Sequence, residues 1–141
     1  MDPKILVAID IEHQANAVKA LKEAAKLAQC VNGEIHVCYV LAYGFYDYVK
    51  PFLVEEVVKD SIAHVKMELV ALVKEAGLSD ELVYRHVLKG GVHQQILLLA
   101  ETLASSYLIV NASQPDAMTG IAGPVTAQLA HLAPCSLLIV R

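Results

Sequence analysis

Cysteine is scarce, tryptophan is absent, and no apolar run in the 141-residue chain approaches the length of a membrane span. Cys30, Cys38 and Cys135 are odd in number, widely spaced and set in apolar segments, a pattern that fits neither a disulfide framework nor a zinc motif. All three read as small buried hydrophobes. The longest uninterrupted apolar runs, such as Ile96 to Ala100 and Leu137 to Val140, fall far short of the roughly 20 residues a bilayer requires. An excess of positive charge is missing as well. The formal net charge is −4, and Lys19, Lys22, Lys26, Lys59, Lys66 and Lys74 are scattered along prospective solvent faces of helices, so no nucleic-acid footprint is expected. The apolar run after Met1 and Asp2 is short and ends at Asp10, so no signal peptide is expected and the reducing cytoplasm is the predicted compartment.

What the chain does have is apolar surface to bury. The hydrophobic fraction is 56%, which predicts a well-covered interior and a buried oligomer surface, and the length fits one domain spanning residues 1–141. Lys4 to Asp10 is a short apolar run ending in an acid, as in a strand buried on both faces of a parallel sheet. Gln14 to Val31 carries Ala17, Val18, Leu21, Ala24, Ala25 and Ala28 at helical spacing, and Asn32-Gly33 stops it, with Gly33 expected to supply a positive φ. Glu34 to Leu41 is a second strand. A helix follows from Pro51 to about Ala76, and Gly77 ends it. Leu82 to Leu88 is a third strand, interrupted by Arg85 and His86 and so placed at a sheet edge. Val92 to Leu103 is helical, Tyr107 to Val110 and Leu137 to Val140 are strands, and a helix between those two ends near Leu132. Such β-α alternation predicts an α/β doubly wound sandwich with a parallel sheet and right-handed crossovers.

Ligands of open parallel sheets sit beyond the carboxyl ends of the strands. The candidate loops are therefore Asp10 to His13, Val40 to Tyr48, Lys89 to Gly91 and Asn111 to Pro124. Asp10 has two readings, as an acceptor for an adenine or ribose and as an ordinary helix-entry residue.

Four segments, ILVAID ending at Asp10, GEIHVCYV ending at Val40, Gly90 to Ile96, and the terminal HLAPCSLLIVR, together resemble the universal stress protein family along essentially the whole chain. The resemblance implies a single five-stranded sheet of order 3-2-1-4-5 with helices on both faces. It also implies homodimers joined through the last strand, here Leu137, Leu138, Ile139 and Val140. ATP-binding members share a loop of Gly, two residues, Gly, nine residues, Gly, then Ser or Thr, in which backbone N–H groups and a helix N-terminus hold phosphate. The corresponding stretch is NASQPDAMTGIAGP. Gly123 falls on the third glycine, Asn111 and Gln114 near the first two, the loop is one residue short, and Pro124 stands in place of the hydroxyl residue. Proline offers phosphate neither a hydroxyl nor an N–H. Losing two charge-assisted contacts of about 1.5 to 3 kcal/mol each weakens binding by roughly a hundredfold to ten-thousandfold. The resemblance marks Asp10, Val40, Asn111 and Gly123 as a vestigial adenine-nucleotide cleft. Thr119-Gly120 offers a shifted hydroxyl and amide, against Thr119 as a helix cap or turn residue.

Other chemistries fit worse. A receiver domain needs a phosphoacceptor Asp after the third strand, where Leu88-Lys89 stands. None of the six histidines forms a His-x-Gly-His signature, and Lys89-Gly90-Gly91 has the wrong order for a Walker loop. The Asp10, Glu12, His13 stretch is weak as a metal site and reads as solvated loop. His36 and His86 read as satisfied or edge strand histidines, and His64, His93 and His131 fall in helices without partners at metal spacing. Tyr43, Phe45, Tyr46, Tyr48 and Phe52 put five of the chain's eight aromatics, six Tyr and two Phe, beside the cleft. They pack the long helix, cover the pocket or dock a protein partner. The expected function is a non-catalytic, dimeric stress-response module with weak or no ATP binding and no required cofactor. The alternative is an ATP- or AMP-binding protein with a rearranged loop.

Overall fold

The computed structural model describes residues 2–42, 55–112 and 124–141. Strands β1 (Lys4–Ala8), β2 (Glu34–Ala42), β3 (Val83–Gly90), β4 (Tyr107–Asn111) and β5 (Ser136–Val140) form a five-stranded sheet in the order β3-β2-β1-β4-β5. All four pairings are parallel. Helices α1 (Gln14–Val31), α2 (Glu55–Glu75), α3 (Val92–Thr102) and α4 (Pro124–Leu132) connect them. The expected strand order and the edge position of β3 are both met.

Alternation of side chains across the strands divides the interior into two cores. Ile5, Val7, Ile35, Val37 and Ile109 pack with Ala17, Leu21 and Ala24 of α1 and Val65, Leu69 and Leu72 of α2. Leu6, Cys38, Val40, Leu108 and Val110 pack on the other face with Ile96 and Ala100 of α3 and Leu129 of α4. The central run Ile5, Leu6, Val7 is wholly buried. A strand enclosed on both faces has no solvent side, and that is why its sequence does not alternate.

Several local expectations shift. Asn32, not Gly33, takes the left-handed conformation that ends α1, with φ 54°. Gly33 is needed for close approach instead, because a Cβ there would lie 2.9 Å from the Pro3 carbonyl oxygen and 3.3 Å from Ile5 Cδ1. Gly77 does adopt a positive φ, 82°, after α2. The start of β3 is displaced to Val83 by a short 3-10 turn over Asp80–Leu82, in which Leu82 N–H donates to the Ser79 carbonyl at 3.0 Å and Asp80 pairs with Arg85. Cys30 is exposed, since it lies on α1 away from the stripe of Ala17, Ala20, Leu21 and Ala24; Cys38 is buried and Cys135 half-buried. The expected first turn of the second helix at Pro51 lies outside the described residues. Among the described residues, no helix is long and apolar enough to cross a membrane.

Candidate functional site

The carboxyl ends of β1 and β2 open into a cleft whose described walls enclose about 240 Å³. Residues 8–10 and Glu12 form one side, residues 38–40 another, and Val92 and Ile96 of α3 the third. Ile9 N–H donates to the Cys38 carbonyl at 3.0 Å, which keeps the chain paired with β2 one residue beyond the end of β1. Val92 and Ile96 are one helical turn apart and reach the same wall. Gly91 caps this helix in extended conformation, and a Cβ on it would lie 2.4 Å from Gln94 Oε1.

Asp10 lines the cleft and organises the turn into α1. Its Oδ1 accepts from the Glu12 N–H at 3.0 Å, its Oδ2 lies 3.0 Å from His13 Nδ1, and its carbonyl accepts from the His13 N–H at 3.2 Å. Asp10 thus organises the turn ahead of α1, whose N-cap is His13 with no side-chain capping bond. Each carboxylate oxygen retains a second lone pair, and the Asp10 side chain is 55% exposed, so it can still accept from a ligand. Val40 contributes apolar surface to the cleft and is otherwise buried. The Cys38 thiol is pushed up to about 12 by burial, so this cleft sulfur stays protonated at neutral pH and is a poor nucleophile.

Asn111 does not line the described cleft. Its Nδ2 donates to the Asn16 carbonyl at 2.8 Å, tying the end of β4 to the first turn of α1. Gly123, Gln114 and Thr119, the shifted Thr119-Gly120 pair and the five clustered aromatics from Tyr43 to Phe52 lie outside the described residues. Asp10 and Val40 are thus brought to one wall, and Asn111 is engaged elsewhere. Sequence reasoning missed Val92 and Ile96 as cleft walls, although their four-residue spacing on an apolar helix just after Gly90-Gly91 carried the signal. A larger hollow of about 430 Å³ opens between Asn32 and Ile35, at the start of β2, and Leu82 to Tyr84, at the start of β3. It sits at the amino ends of those strands, where parallel sheets do not usually hold ligands.

His13 and Asp10 do meet, yet no group of three His, Cys, Asp or Glu side chains among the described residues is arranged to hold a metal ion. The two strand histidines meet as well. His36 Nδ1 lies 3.0 Å from His86 Nε2, and His36 Nε2 lies 3.2 Å from Glu34 Oε2. Burial, and then the neighbouring His36, push the His86 pKa below its ordinary value. His64 Nε2 lies 3.8 Å from Glu68 Oε1, an i,i+4 contact on an exposed helix face.

At the far edge of the sheet, β5 leaves Leu138 40% and Ile139 39% exposed, while Leu137 and Val140 pack against opposite cores. Two adjacent apolar side chains of a strand point to opposite faces, so this edge is apolar above and below.

A model of the Universal stress protein family matches residues 1–141. Among solved structures, the universal stress protein UspA from Lactobacillus plantarum superposes with a TM-score of 0.78 at 22% identity, covering 99% of this chain and 97% of that one. A universal stress protein in complex with cAMP gives 0.71 at 17% identity, over 99% and 97% of the two chains. The universal stress protein from Archaeoglobus fulgidus in complex with dAMP gives 0.67 at 17% identity, over 100% and 98%. At these identities the superpositions speak to the fold, and the whole-length family match speaks to membership. The chain belongs to the universal stress protein family.

Proposed function

We propose that this protein is a non-catalytic, dimeric regulatory module that binds ATP weakly or not at all. The observation that carries the reading is the commitment of Asn111. Where ATP-binding relatives present a glycine backbone to phosphate, this chain has a side chain whose amide donates to the Asn16 carbonyl at 2.8 Å. Pro124, at the start of α4, adds a second loss, because it has no N–H at the helix terminus that would face the phosphate.

The exposed pair Leu138 and Ile139 on an edge strand supports dimerisation through β5. An uncovered edge of this kind invites pairing with another strand, and a second copy satisfies it symmetrically.

A second reading, adenine-nucleotide binding with a rearranged loop, is favoured by Asp10 and Val40, which stand together on the cleft wall, and by the cAMP and dAMP found with structural relatives. Calorimetric titration of the purified protein with ATP separates the two. The proposal expects no affinity tighter than roughly 10 μM, about 7 kcal/mol. Tighter binding, or nucleotide that copurifies, establishes the second reading instead.

A further inference from the structure

The contact between His36 and His86 is not itself part of the cleft wall; it lies on the face of β2 and β3 that packs under α3, beside the cleft residue Cys38, and it joins an interior strand to the edge strand. His36 is 5% exposed, and each of its ring nitrogens has a partner. The Glu34 carboxylate can only accept, so His36 Nε2 carries a hydrogen and donates to it. With both rings neutral, His36 Nδ1 then accepts from His86 Nε2–H across 3.0 Å. One added proton fits the same chain: it enters at His86 Nδ1, the hydrogen between the rings passes from His86 Nε2 to His36 Nδ1, and His36 then donates on both sides, to Glu34 and to His86 Nε2. A second proton does not fit. Both facing nitrogens would then be donors, with two positive rings at hydrogen-bond distance.

We propose that the Glu34, His36, His86 chain is a pH-sensitive latch that holds edge strand β3 to β2 at neutral pH and gives way in mildly acidic solution.

Among the described residues, little else near His86 can absorb the second charge. On the same face, β2 contributes Glu34, His36 and Cys38, whose thiol is pushed up to about 12 by burial and stays neutral. On β3 itself Tyr84 stacks on His36 with ring centres 4.6 Å apart, and Arg85 is paired with Asp80. The α3 side chains that reach this core are apolar, namely Val92, Ile96, Leu97, Leu99, Ala100 and Leu103. The ionisable groups of α3, His93 and Glu101, make no ion pair with His86 among the described residues. Burial and the charge of His36 lower the His86 pKa below 6.5. The unfolded or detached strand therefore binds the proton more readily than the latched one. The latch contributes fully above about pH 6.5, and its contribution is lost as pH falls from there through the lowered value. The sequence shows two strand histidines but not their meeting, because His36 stands opposite Tyr84, and His86 opposite Cys38, only in the register the fold selects.

The strand that loosens runs directly into Gly90-Gly91 and α3, whose Val92 and Ile96 wall the cleft. The latch itself does not depend on whether a nucleotide binds there.

The test is amide hydrogen exchange on the full chain at pH 7.5 and pH 5.5, corrected for intrinsic rates, together with an NMR titration of the histidine rings. A severalfold loss of protection in β3 that exceeds the loss in β4 is expected at the lower pH, with His86 titrating below 6.5. In His86→Gln, which keeps a hydrogen-bond donor but removes the titrating ring, the loss confined to β3 is expected to vanish. The proposal is overturned if β3 and β4 lose protection alike, if His86→Gln retains the loss, or if the His86 ring titrates at or above 6.5. The ring titration needs only the wild-type protein and decides the matter even if the variant does not fold.

Discussion

Asn111 holds the end of β4 against the first turn of α1 through a single side-chain amide, in a half-buried position. The carbonyl that accepts this bond belongs to a helical residue, so removing the amide leaves little unsatisfied. Asn111→Ala is expected to cost about 1 kcal/mol, read as a lower urea midpoint at unchanged slope. Thiol chemistry gives a sharper residue-scale prediction. Cys30 is exposed, Cys135 half-buried with its pKa raised by burial, and Cys38 buried with its own pushed up to about 12. A thiol reagent at neutral pH should modify Cys30 rapidly, Cys135 slowly, and Cys38 only on unfolding. Fast modification of all three in the native protein would contradict the packing described. At this scale the sequence misleads in an instructive way, since cysteine type alone suggested three buried side chains. Which face of α1 a given position occupies depends on the phase of the whole stripe, and Cys30 falls outside it.

At the scale of elements, the end of α3 is built around a residue that does not suit it. Ala104 has φ 51°, Ser105 N–H donates to the Ala100 carbonyl at 2.9 Å, and Ala104 N–H donates to the Glu101 carbonyl at 3.0 Å. That closure favours glycine at the left-handed position. Ala104→Gly is expected to raise stability by about 1 kcal/mol, because the Cβ strain outweighs the added freedom of the unfolded chain; a lowered urea midpoint would contradict it. Strand β5 carries the other prediction of this scale. Leu138→Lys or Ile139→Lys places a charge on the exposed apolar edge and should shift the protein from dimer to monomer in analytical ultracentrifugation. A wild type that is monomeric at high concentration would remove the basis for that expectation. Elements were the most legible level of the sequence. The long periodic stripes of α1 and α2 follow from packing one helix face against the sheet, and the unbroken apolar runs of β1 and β4 from burial on both sides of it. Boundaries were less legible: β3 begins at Val83 rather than Leu82 because Asp80 and Ser79 draw the preceding residues into a turn, a competition that propensity does not register.

For the whole molecule, the parallel order of the sheet decides what can meet. It brings Asp10 and Val40, thirty residues apart, onto one cleft wall, and it sets His36 beside His86. Neither pairing is written in local spacing. The first was legible as two candidate loops at the carboxyl ends of strands, sharpened to these residues by the family resemblance, and the second was not legible at all. The same topology places Asn111 and the start of α4 at the carboxyl end of the sheet, the region from which phosphate would be held, with an amide committed to the fold and a proline in place of an N–H donor. The central claim is that the triphosphate gains little here. Parallel calorimetric titrations with AMP and ATP test it most directly. The account predicts that both bind weakly and that the two additional phosphates improve affinity by less than about tenfold, roughly 1.4 kcal/mol. An ATP affinity a hundredfold or more above that of AMP would mean that this site grips phosphate after all.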